Sequence, residues 1–511
     1  MRGIKYRVHG KGDVKTRTVS PVLSENLAWI KRYLGYKESF DVLVREFEVA
    51  EHSCALVCLD SFIDSTVLTL IMEQLEKMSP DDLEHPSMHG LLNRAIPYIE
   101  VSPVGELDEA CDQVLAGPAA LLVEGVSHVV VVDVRQYPGR TPSEPSIERV
   151  LRGPHDGFVE TLVYNTILVR RRLRDPNLRL EALQVGRRSK SDVVMMYIKD
   201  IADEGLVRRV RQRIKAVDGD AMTMSEKALQ EWVLKKPWWN PFPNGKFTER
   251  PDVAAEHLTE GHILVMIDTS PNALILPVTF FSFLQSAEEY HEDVMIGTYL
   301  KWVRFLGILA SWVLPPLWFA LIATHAHLPG KLDILLTPTT TSIPIFWQLI
   351  GLEIGVDLLR LALTFSPDPL TQSMGFFGAI LLGDVAIKAG LIDAEAMVLV
   401  ALAAVGTFTA PDLDFGLAIR LLRGFLLLLT GTFTLIALPW LGFSLGLAIP
   451  LVVLVRNDSF GVPYSWPLLP FNGSAFLAEL ARKPLDRKVF RPAMTHPRDA
   501  THKRPREGNR V

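Results

Sequence analysis

The pattern of apolar and polar positions divides the chain into two unlike parts. Up to about residue 290, apolar residues come in short runs interrupted by charges, turn formers and prolines, which is typical of a soluble α/β fold. After residue 303 the apolar runs become long enough to cross a bilayer as helices. The sequence therefore predicts α/β cytoplasmic subdomains followed by a polytopic α-helical membrane domain.

The first predicted subdomain covers residues 25–150, after a flexible N-terminus at 1–24. Its predicted elements are helices at 25–34, 67–78 and 108–115 and strands at 40–47, 54–59, 119–124 and 127–134. The strand at 54–59 lacks polar alternation, which predicts burial on both faces. Asp60 and Asp64 follow it, and we interpret them as turn and cap residues because no base, nucleophile or ligand set accompanies them.

A second α/β subdomain is predicted at residues 151–236. Its elements are helices at 161–172, 202–217 and 225–234 and a strand at 191–200. Its glycines fit neither a P-loop nor a dinucleotide fingerprint. The basic cluster at 170–174 is interpreted as a solvated helix end that complements the helix dipole.

Residues 237–300 form a predicted junction with a hairpin and an amphipathic helix. The stretch 237–252 holds two tryptophans and four prolines, which exclude a continuous helix or a central strand. The hairpin is predicted at 261–277, and the amphipathic segment at 280–290. Four residues are the candidate coupling site, namely Glu249, Arg250, Pro251 and Asp252. We expect Glu249 and Arg250 to pair with neighbouring subdomains or subunits; local capping is the alternative.

Five or six spans are predicted in the membrane domain at residues 301–456. They are 303–324, 343–363, 376–392, 394–410, 415–438 and 440–455. Pro315 and Pro316 should kink the first. Only Pro439 separates the last two, which form either a hairpin or one long kinked element.

Ionisable residues inside these apolar runs are the candidate ion-pathway residues. Glu353, Asp357 and Arg360 share one helical face, and Asp384 and Lys388 are spaced as an intrahelical pair. Charges at membrane depth are costly and usually face a bundle interior, a partner charge or water. The alternative is that the 343–363 helix lies partly at the interface and its charges form solvated pairs.

Basic residues near the span ends predict that both termini lie inside, with six spans. The residues used are Lys301, Arg304, Arg360, Arg420, Arg423 and Arg456. A basic cytoplasmic C-terminal tail is predicted at 457–511, with anionic lipid as its partner.

Composition excludes several other classes. The net charge of −5 and the lack of a basic stripe give no reason to expect a nucleic-acid partner. Three cysteines are too few for a disulfide framework, and Cys54 and Cys58 near His52 are interpreted as buried strand residues and not as metal ligands. With no cleavable signal and no catalytic set, the sequence predicts no enzyme, no cofactor and no metal site.

Several colinear motifs resemble the A-subunit family of bacterial spore germination receptors. They lie at 153–154, 157–160, 165, 170–172, 248–252, 260–261, 268–271 and 461–464. The resemblance covers roughly residues 25–490. The segment at 240–243, with His262 and Trp318, is more similar to the stage V sporulation branch of that family than to nutrient-receptor A subunits.

This resemblance implies a signalling subunit of the spore inner membrane, with cytoplasmic N-terminal subdomains, that takes part in germination. It further implies a homo-oligomer that conducts ions or amplifies ion release, with other germination membrane proteins as partners. Two alternatives are a nutrient germinant receptor A subunit and a non-conducting membrane scaffold. A monomeric transporter would favour internal repeats, and the sequence shows no convincing repeat.

Overall fold

In the residues that it describes, the computed structural model has two five-stranded antiparallel sheets with their helices, followed by a helical bundle and a short two-stranded sheet. The residues it describes are 17–78, 96, 98–136, 145, 148, 150, 152–325, 342–365, 383, 385–482, 484 and 488–502.

The first sheet has five strands in the order β1-β2-β4-β5-β3. Its elements are α1 (Leu23–Leu34), β1 (Val42–Val49), β2 (His52–Leu59), α2 (Ser65–Glu76), β3 (Val101–Val104), α3 (Leu107–Leu115), β4 (Ala119–Val123) and β5 (Val129–Val132). Ala55, Val57 and Leu59 of β2 pack towards α1 and α3, whereas Cys54 and Cys58 pack towards α2. Burial of β2 on both faces is therefore as the apolar run predicts, and these cysteines are buried.

The second sheet has the order β6-β7-β9-β10-β8. Its elements are α4 (Leu162–Arg172), β6 (Leu178–Val185), β7 (Ser191–Ile198), α5 (Glu204–Lys215), α6 (Ser225–Leu234), β8 (Lys246–Thr248), α7 (Pro251–Thr259), β9 (Ile263–Ile267) and β10 (Ala273–Leu276). The hairpin expected in the junction forms as β9 and β10, but β9 also pairs with β7. The second sheet thus extends across residue 236, where the sequence analysis ended the subdomain.

The two sheets share one topology. Each is built as a helix, a hairpin, a helical connection, an edge strand, a further helix and two more strands, and the strand orders correspond one to one. No convincing repeat is apparent in the sequence, because the correspondence lies in topology and hydrogen bonding and leaves little trace in residue type.

Matching hydrogen bonds support this duplication. Asn26 of α1 binds the backbone of Ser20, and Asn165 of α4 binds the backbone of Val159 in the same reciprocal way, six residues back. The first amide of each helix donates to a carboxylate just after a central strand. For Leu23 the acceptor is Glu124, and for Leu162 it is Asp268.

A buried ion pair joins the two units. Arg170 of α4 donates through Nε to Asp41 Oδ2 at 2.9 Å, and both side chains are buried. The interpretation of residues 170–174 as a solvated helix end is therefore wrong for Arg170. The helix end packs against the loop before β1, so the guanidinium is enclosed where a carboxylate can compensate it.

The helical bundle follows a short helix, α8 (Ala287–His291). Its members are α9 (Val294–Ala323), α10 (Ile345–Phe365), α11 (Ala394–Phe408), α12 (Leu413–Thr434) and α13 (Pro439–Arg456). Within the described residues, α9 and α13 are long and apolar enough to cross a membrane, and α11 is a shorter apolar helix. The predicted span at 376–392 falls largely outside the described residues.

The last two predicted spans form a hairpin. Gly442 and Gly446 of α13 lie directly against Leu429 and Leu426 of α12, where a Cβ atom on either glycine would collide with its neighbour. Small residues at this spacing allow close helix approach. The chain therefore reverses before Pro439, the first residue of α13.

The C-terminal segment folds back onto the second sheet unit. It contains β11 (Asp458–Ser459), β12 (Val462–Pro463) and α14 (Gly473–Leu480). Lys488 binds Glu256 and Glu260, and Arg491 donates to the Thr259 carbonyl at 2.7 Å. Two of the basic residues assigned to a lipid-facing tail are thus engaged by the protein.

Candidate functional site

An ion pair lies in the interior of the helical bundle. Arg423 of α12 donates from Nη2 to Glu353 Oε2 of α10 at 2.6 Å, with the arginine side chain 0% exposed and the glutamate side chain 14% exposed. Nη1 of Arg423 also donates to the backbone and hydroxyl oxygens of Ser311 in α9, at 3.1 and 3.0 Å. The Ser311 hydroxyl lies 2.7 Å from that of Thr407 in α11. This polar cluster connects four helices.

Pro315 explains why the Ser311 carbonyl is available to Arg423. A proline inside a helix has no N–H, so the carbonyl four residues earlier loses its intrahelical donor. Ser311 stands four residues before Pro315, and both lie within α9. Arg423 therefore satisfies a carbonyl that the proline leaves unpaired, so the proline is tolerated inside the helix.

A glycine contact brings α9 and α11 together at the same level. A Cβ atom on Gly406 would collide with the carbonyl of Gly307 and would lie 3.1 Å from Cβ of Ser311. The absence of side chains at these two glycines lets the backbones approach closely, so the Ser311 and Thr407 hydroxyls can meet and Arg423 can reach both.

Asp357 and Arg360 continue the charged face of α10. Asp357 pairs with Arg420 of α12, although the aspartate side chain is still 54% exposed. The Arg360 guanidinium lies 5.9 Å from the ring centre of Phe408 in α11. The acidic residues of α10 thus face two arginines of α12, one helical turn apart.

Some polar atoms in this polar cluster remain unsatisfied. Among the described residues, Glu353 Oε1, Arg423 Nε and Arg420 Nε are buried without a hydrogen-bond partner. Unsatisfied buried polar atoms are uncommon in native interiors, where water or an ion often satisfies them. Glu353 Oε1 can accept a further hydrogen bond, and the Nε–H groups of Arg423 and Arg420 can each donate one.

The predicted pathway residues are only partly brought together. Glu353 and Asp357 share the α10–α12 interface, and Arg360 lies against α11. Lys388 is exposed on a single helical turn, Ala386–Lys388, and Asp384 lies outside the described residues.

Arg420 and Arg423 were missed as site residues. Their expected place was the cytoplasmic end of a span, which is wrong for Arg423 because its side chain has no exposed surface. The sequence does contain a signal for them. Arg420 and Arg423 lie about one helical turn apart in one apolar run, and Glu353 and Asp357 have a similar spacing in another, so the two pairs could face each other.

Three of the four coupling-site residues at the junction are buried, and Asp252 is partly buried. Arg250 donates to Asp252 at 3.1 and 2.7 Å and to the backbone carbonyls of Glu148 and Pro154 at 3.2 and 3.1 Å. Asp252 Oδ2 lies 3.3 Å from Nε2 of His291, the last residue of α8. The sequence left two alternatives for Arg250, a local contact or a contact with a distant segment. Arg250 makes both, with Asp252 as the local partner and the carbonyls of Glu148 and Pro154 as the distant ones.

The neighbours of Arg250 are held through their backbones. Glu249 donates its amide to the Glu148 carboxylate and accepts from the Phe158 amide at 2.8 Å, while Pro251 occupies the first turn of α7.

Burial raises the pKa of Glu148, against the opposing charge of Lys246. Burial also acts to raise the pKa of Asp252, but the Arg250 hydrogen bonds and charge outweigh it and the pKa falls.

Lys246 of β8 extends this contact towards the bundle. Its Nζ donates to the carbonyls of Ser282 and Gln285 at 3.0 and 3.3 Å, in the segment that precedes α8. Burial lowers the pKa of this ammonium group, and the carboxylates of Glu148 and Asp412 oppose the shift. Strand β8 therefore contacts the chain just before the bundle through a buried cation.

Three side chains of the second unit could hold a divalent cation. Ligand atoms of His257, Glu260 and His262 all lie within 4.8 Å of one another. Lys488 already binds one oxygen of Glu260. Burial lowers the pKa of both imidazoles, so they are neutral near pH 7. This cluster was not expected from the sequence, which predicts no metal site.

Comparison with known proteins identifies the relatives of the chain. The model of the Bacillus/Clostridium GerA spore germination protein family matches residues 28–494. Stage V sporulation protein AF of Bacillus subtilis (strain 168) is 39% identical over 93% of this chain and 95% of its own. Two further proteins of that strain are each 28% identical: spore germination protein KA, over 91% of this chain and 85% of its own, and the uncharacterized membrane protein YfkQ, over 90% and 88%.

Proposed function

The chain belongs to the Bacillus/Clostridium GerA spore germination protein family, and we propose that it is an integral membrane subunit whose oligomer conducts or releases ions during germination. The observation that carries this proposal is the buried Arg423–Glu353 pair inside an apolar helical bundle. We place the subunit in the spore inner membrane, with both termini on the core side and with other germination membrane proteins as partners.

The outer surface of the bundle supports membrane insertion. Large apolar side chains are exposed on its helices, whereas serine, threonine and arginine side chains are buried between them. The exposed residues include Leu306, Leu309, Leu358, Leu361, Val398, Leu402, Val405, Leu421, Leu428 and Val452. Exposed large apolar side chains in this number indicate contact with lipid or protein. A polytopic membrane domain therefore accounts for a surface that a soluble bundle would not expose.

Asp357 supports an oligomer. It lies near the middle of α10 with more than half of its side chain exposed, beside the exposed residues Ile354 and Leu358. A carboxylate at the centre of a membrane helix avoids acyl chains and faces protein or water. A pathway between copies, lined by the exposed side of α10, would give this carboxylate a polar environment.

The buried contacts at the junction suggest how the sheets and the bundle are coupled. Arg250 and Asp252 connect the linker between the two sheets to His291, three residues before α9. Lys246 makes a parallel connection through the backbone at Ser282. A shift of the second sheet would thus be transmitted to the start of α9, which carries Ser311 of the polar cluster.

Reconstitution of the full-length protein tests this function. We expect the purified protein in detergent to have a mass several times 57.1 kDa and to release monovalent cations from loaded vesicles. Glu353→Gln and Asp357→Asn should each change the release rate by roughly tenfold, equivalent to about 1.4 kcal/mol of barrier. Asp414→Asn, at the exposed start of α12, is the matched control and should leave the rate unchanged.

Each contrary result points to a different alternative. An oligomer that releases no more ions than empty vesicles would support a scaffold, and a monomer that moves a solute would support a transporter. Wild-type rates in both acid variants would remove α10 from the pathway. Ion release that requires an added nutrient would favour a nutrient germinant receptor A subunit.

A further inference from the structure

A basic cleft lies where the second sheet unit meets the end of α13. It has a volume of about 530 Å³, and among the described residues that line it four are basic and one is acidic. The basic residues are Arg213, Lys235, Lys236 and Arg456, and the acidic one is Asp458. The cleft therefore has a net positive charge and would favour an anion.

Two of these cations, Arg213 and Lys236, bind neutral groups. Arg213 donates to the backbone carbonyls of Val233 and Leu234, and its guanidinium lies 4.7 Å from the ring centre of Phe460. Lys236 donates to the carbonyl of Phe242 at 3.1 Å. These acceptors are neutral groups, so the two side chains are positioned while their positive charge remains available to a ligand.

One wall of the cleft is apolar and follows a candidate membrane helix. Val452 and Val453 belong to the last turns of α13, and Arg456 ends that helix. Trp239 lines the cleft and is 57% exposed, and its neighbour Trp238 is 94% exposed. Exposed tryptophans beside basic residues at a helix end are typical of the membrane–water interface.

We propose that this cleft binds the headgroup of an anionic glycerophospholipid. Lys235 and Arg456 would contact the phosphate, and an acyl chain would follow Val452 along α13. Basic pockets at the ends of membrane helices bind such headgroups. A soluble phosphate ester offers the same charge but has no group for the apolar wall, which is why the lipid is favoured. The proposal rests on the membrane insertion of α13 proposed above.

Ligand binding to the full-length protein in a non-ionic detergent tests the proposal. The three probes are short-chain phosphatidylglycerol, phosphatidylcholine with the same chains, and glycerol phosphate. We expect phosphatidylglycerol to bind at least tenfold more tightly than the other two. Lys235→Gln/Arg456→Gln should weaken its binding by roughly tenfold or more. Arg32→Gln/Arg45→Gln, which removes two exposed arginines of the first unit, should have no effect.

Several results would overturn the assignment. Equal affinity for both lipids would mean that the cleft does not select charge, and equal affinity for glycerol phosphate would identify a site for a soluble anion. Unchanged binding in the cleft variant, with wild-type thermal unfolding, would place any lipid elsewhere. Resistance of the protein to alkaline extraction from membranes tests insertion separately, so failure of the lipid site is distinguishable from failure of the membrane proposal.

Discussion

Arg423 and Glu353 are 70 residues apart in the sequence and meet at 2.6 Å in the interior of the helical bundle. The same arginine binds the Ser311 carbonyl that Pro315 leaves without a helical donor. Arg423 thus connects a largely buried acid on one helix with a carbonyl that a proline leaves unpaired on another.

Removing one member of this pair should strongly destabilise the protein. Arg423→Met leaves the Glu353 carboxylate uncompensated, and we expect it to lower the free energy of unfolding by about 3 kcal/mol. Arg423→Met/Glu353→Leu should cost clearly less than the sum of the single variants. Chemical unfolding in detergent measures this cycle. Lys31→Met/Glu46→Leu, an exposed pair, is the control and should show coupling below about 1 kcal/mol. Additive single effects would show that the pair is not coupled.

Restoring the N–H at residue 315 should weaken the role of Arg423. In Pro315→Ala the Ser311 carbonyl regains a helical donor, so the bond from Arg423 is no longer needed there. We expect the cost of Arg423→Met to fall by about 1 kcal/mol in this background. Pro450→Ala in α13 is the control, since Pro450 lies in a different helix. An unchanged cost would mean that the carbonyl contact contributes nothing.

Asp252 should stabilise the junction most strongly at neutral pH. The pKa of Asp252 is lower in the folded protein than in the unfolded chain. Its contribution to the free energy of unfolding is therefore complete above the unfolded-state pKa and is lost as the pH falls through the folded-state pKa. Asp252→Asn should lower the free energy of unfolding at pH 7 by about 2 kcal/mol and by less at pH 3. Asp156→Asn, which breaks a more exposed pair with Arg172, is the comparison and should cost less. Equal losses at both pH values would contradict this charge assignment.

The paired histidines of the second unit should make the protein less stable in mild acid. Burial is the main cause that lowers the pKa of His257, and positive charge on His262, Lys246 or Lys488 acts in the same direction, while the Glu260 carboxylate lies 3.9 Å from Nδ1 of His257. The unfolded chain takes up protons near pH 6.5 and the folded chain does not, so stability falls as the pH drops below that value.

The difference in Tm between pH 7.5 and 5.5 measures this effect. His257→Gln should reduce the difference, whereas His128→Gln, at an exposed position of the first unit, should leave it as in the wild type. If His257→Gln behaved like the His128 variant, the acid sensitivity would have another source.

The duplicated topology predicts equal roles for Asn26 and Asn165. Each side chain makes two bonds to the backbone that enters its helix. Asn26→Ala and Asn165→Ala should each lower the free energy of unfolding by about 2 kcal/mol. Gln184→Ala, a substitution on a strand surface, is the control. If one substitution lowered the free energy of unfolding strongly and the other did not, the two units would share their topology but not the energetic role of this asparagine.

Local pattern predicted much of the secondary structure. Apolar runs identified β2, β5 and the hairpin of β9 and β10, because burial and alternation are recorded residue by residue. Short edge strands were missed: β3 contains Pro103, which an edge tolerates, and β8 has only three residues. Strand β6 was missed although Leu178, Leu180 and Ala182 alternate with polar residues.

By itself the sequence determined the division into α/β units and an apolar helical region, the charged face of α10 and the family of the chain. Tertiary structure alone decided that Arg423 lies opposite Glu353, that β9 joins β7, and that Arg250 binds backbone from two distant segments. The physical reason is that periodicity reports whether a residue is buried, whereas helix crossings and strand pairing set which distant group it meets.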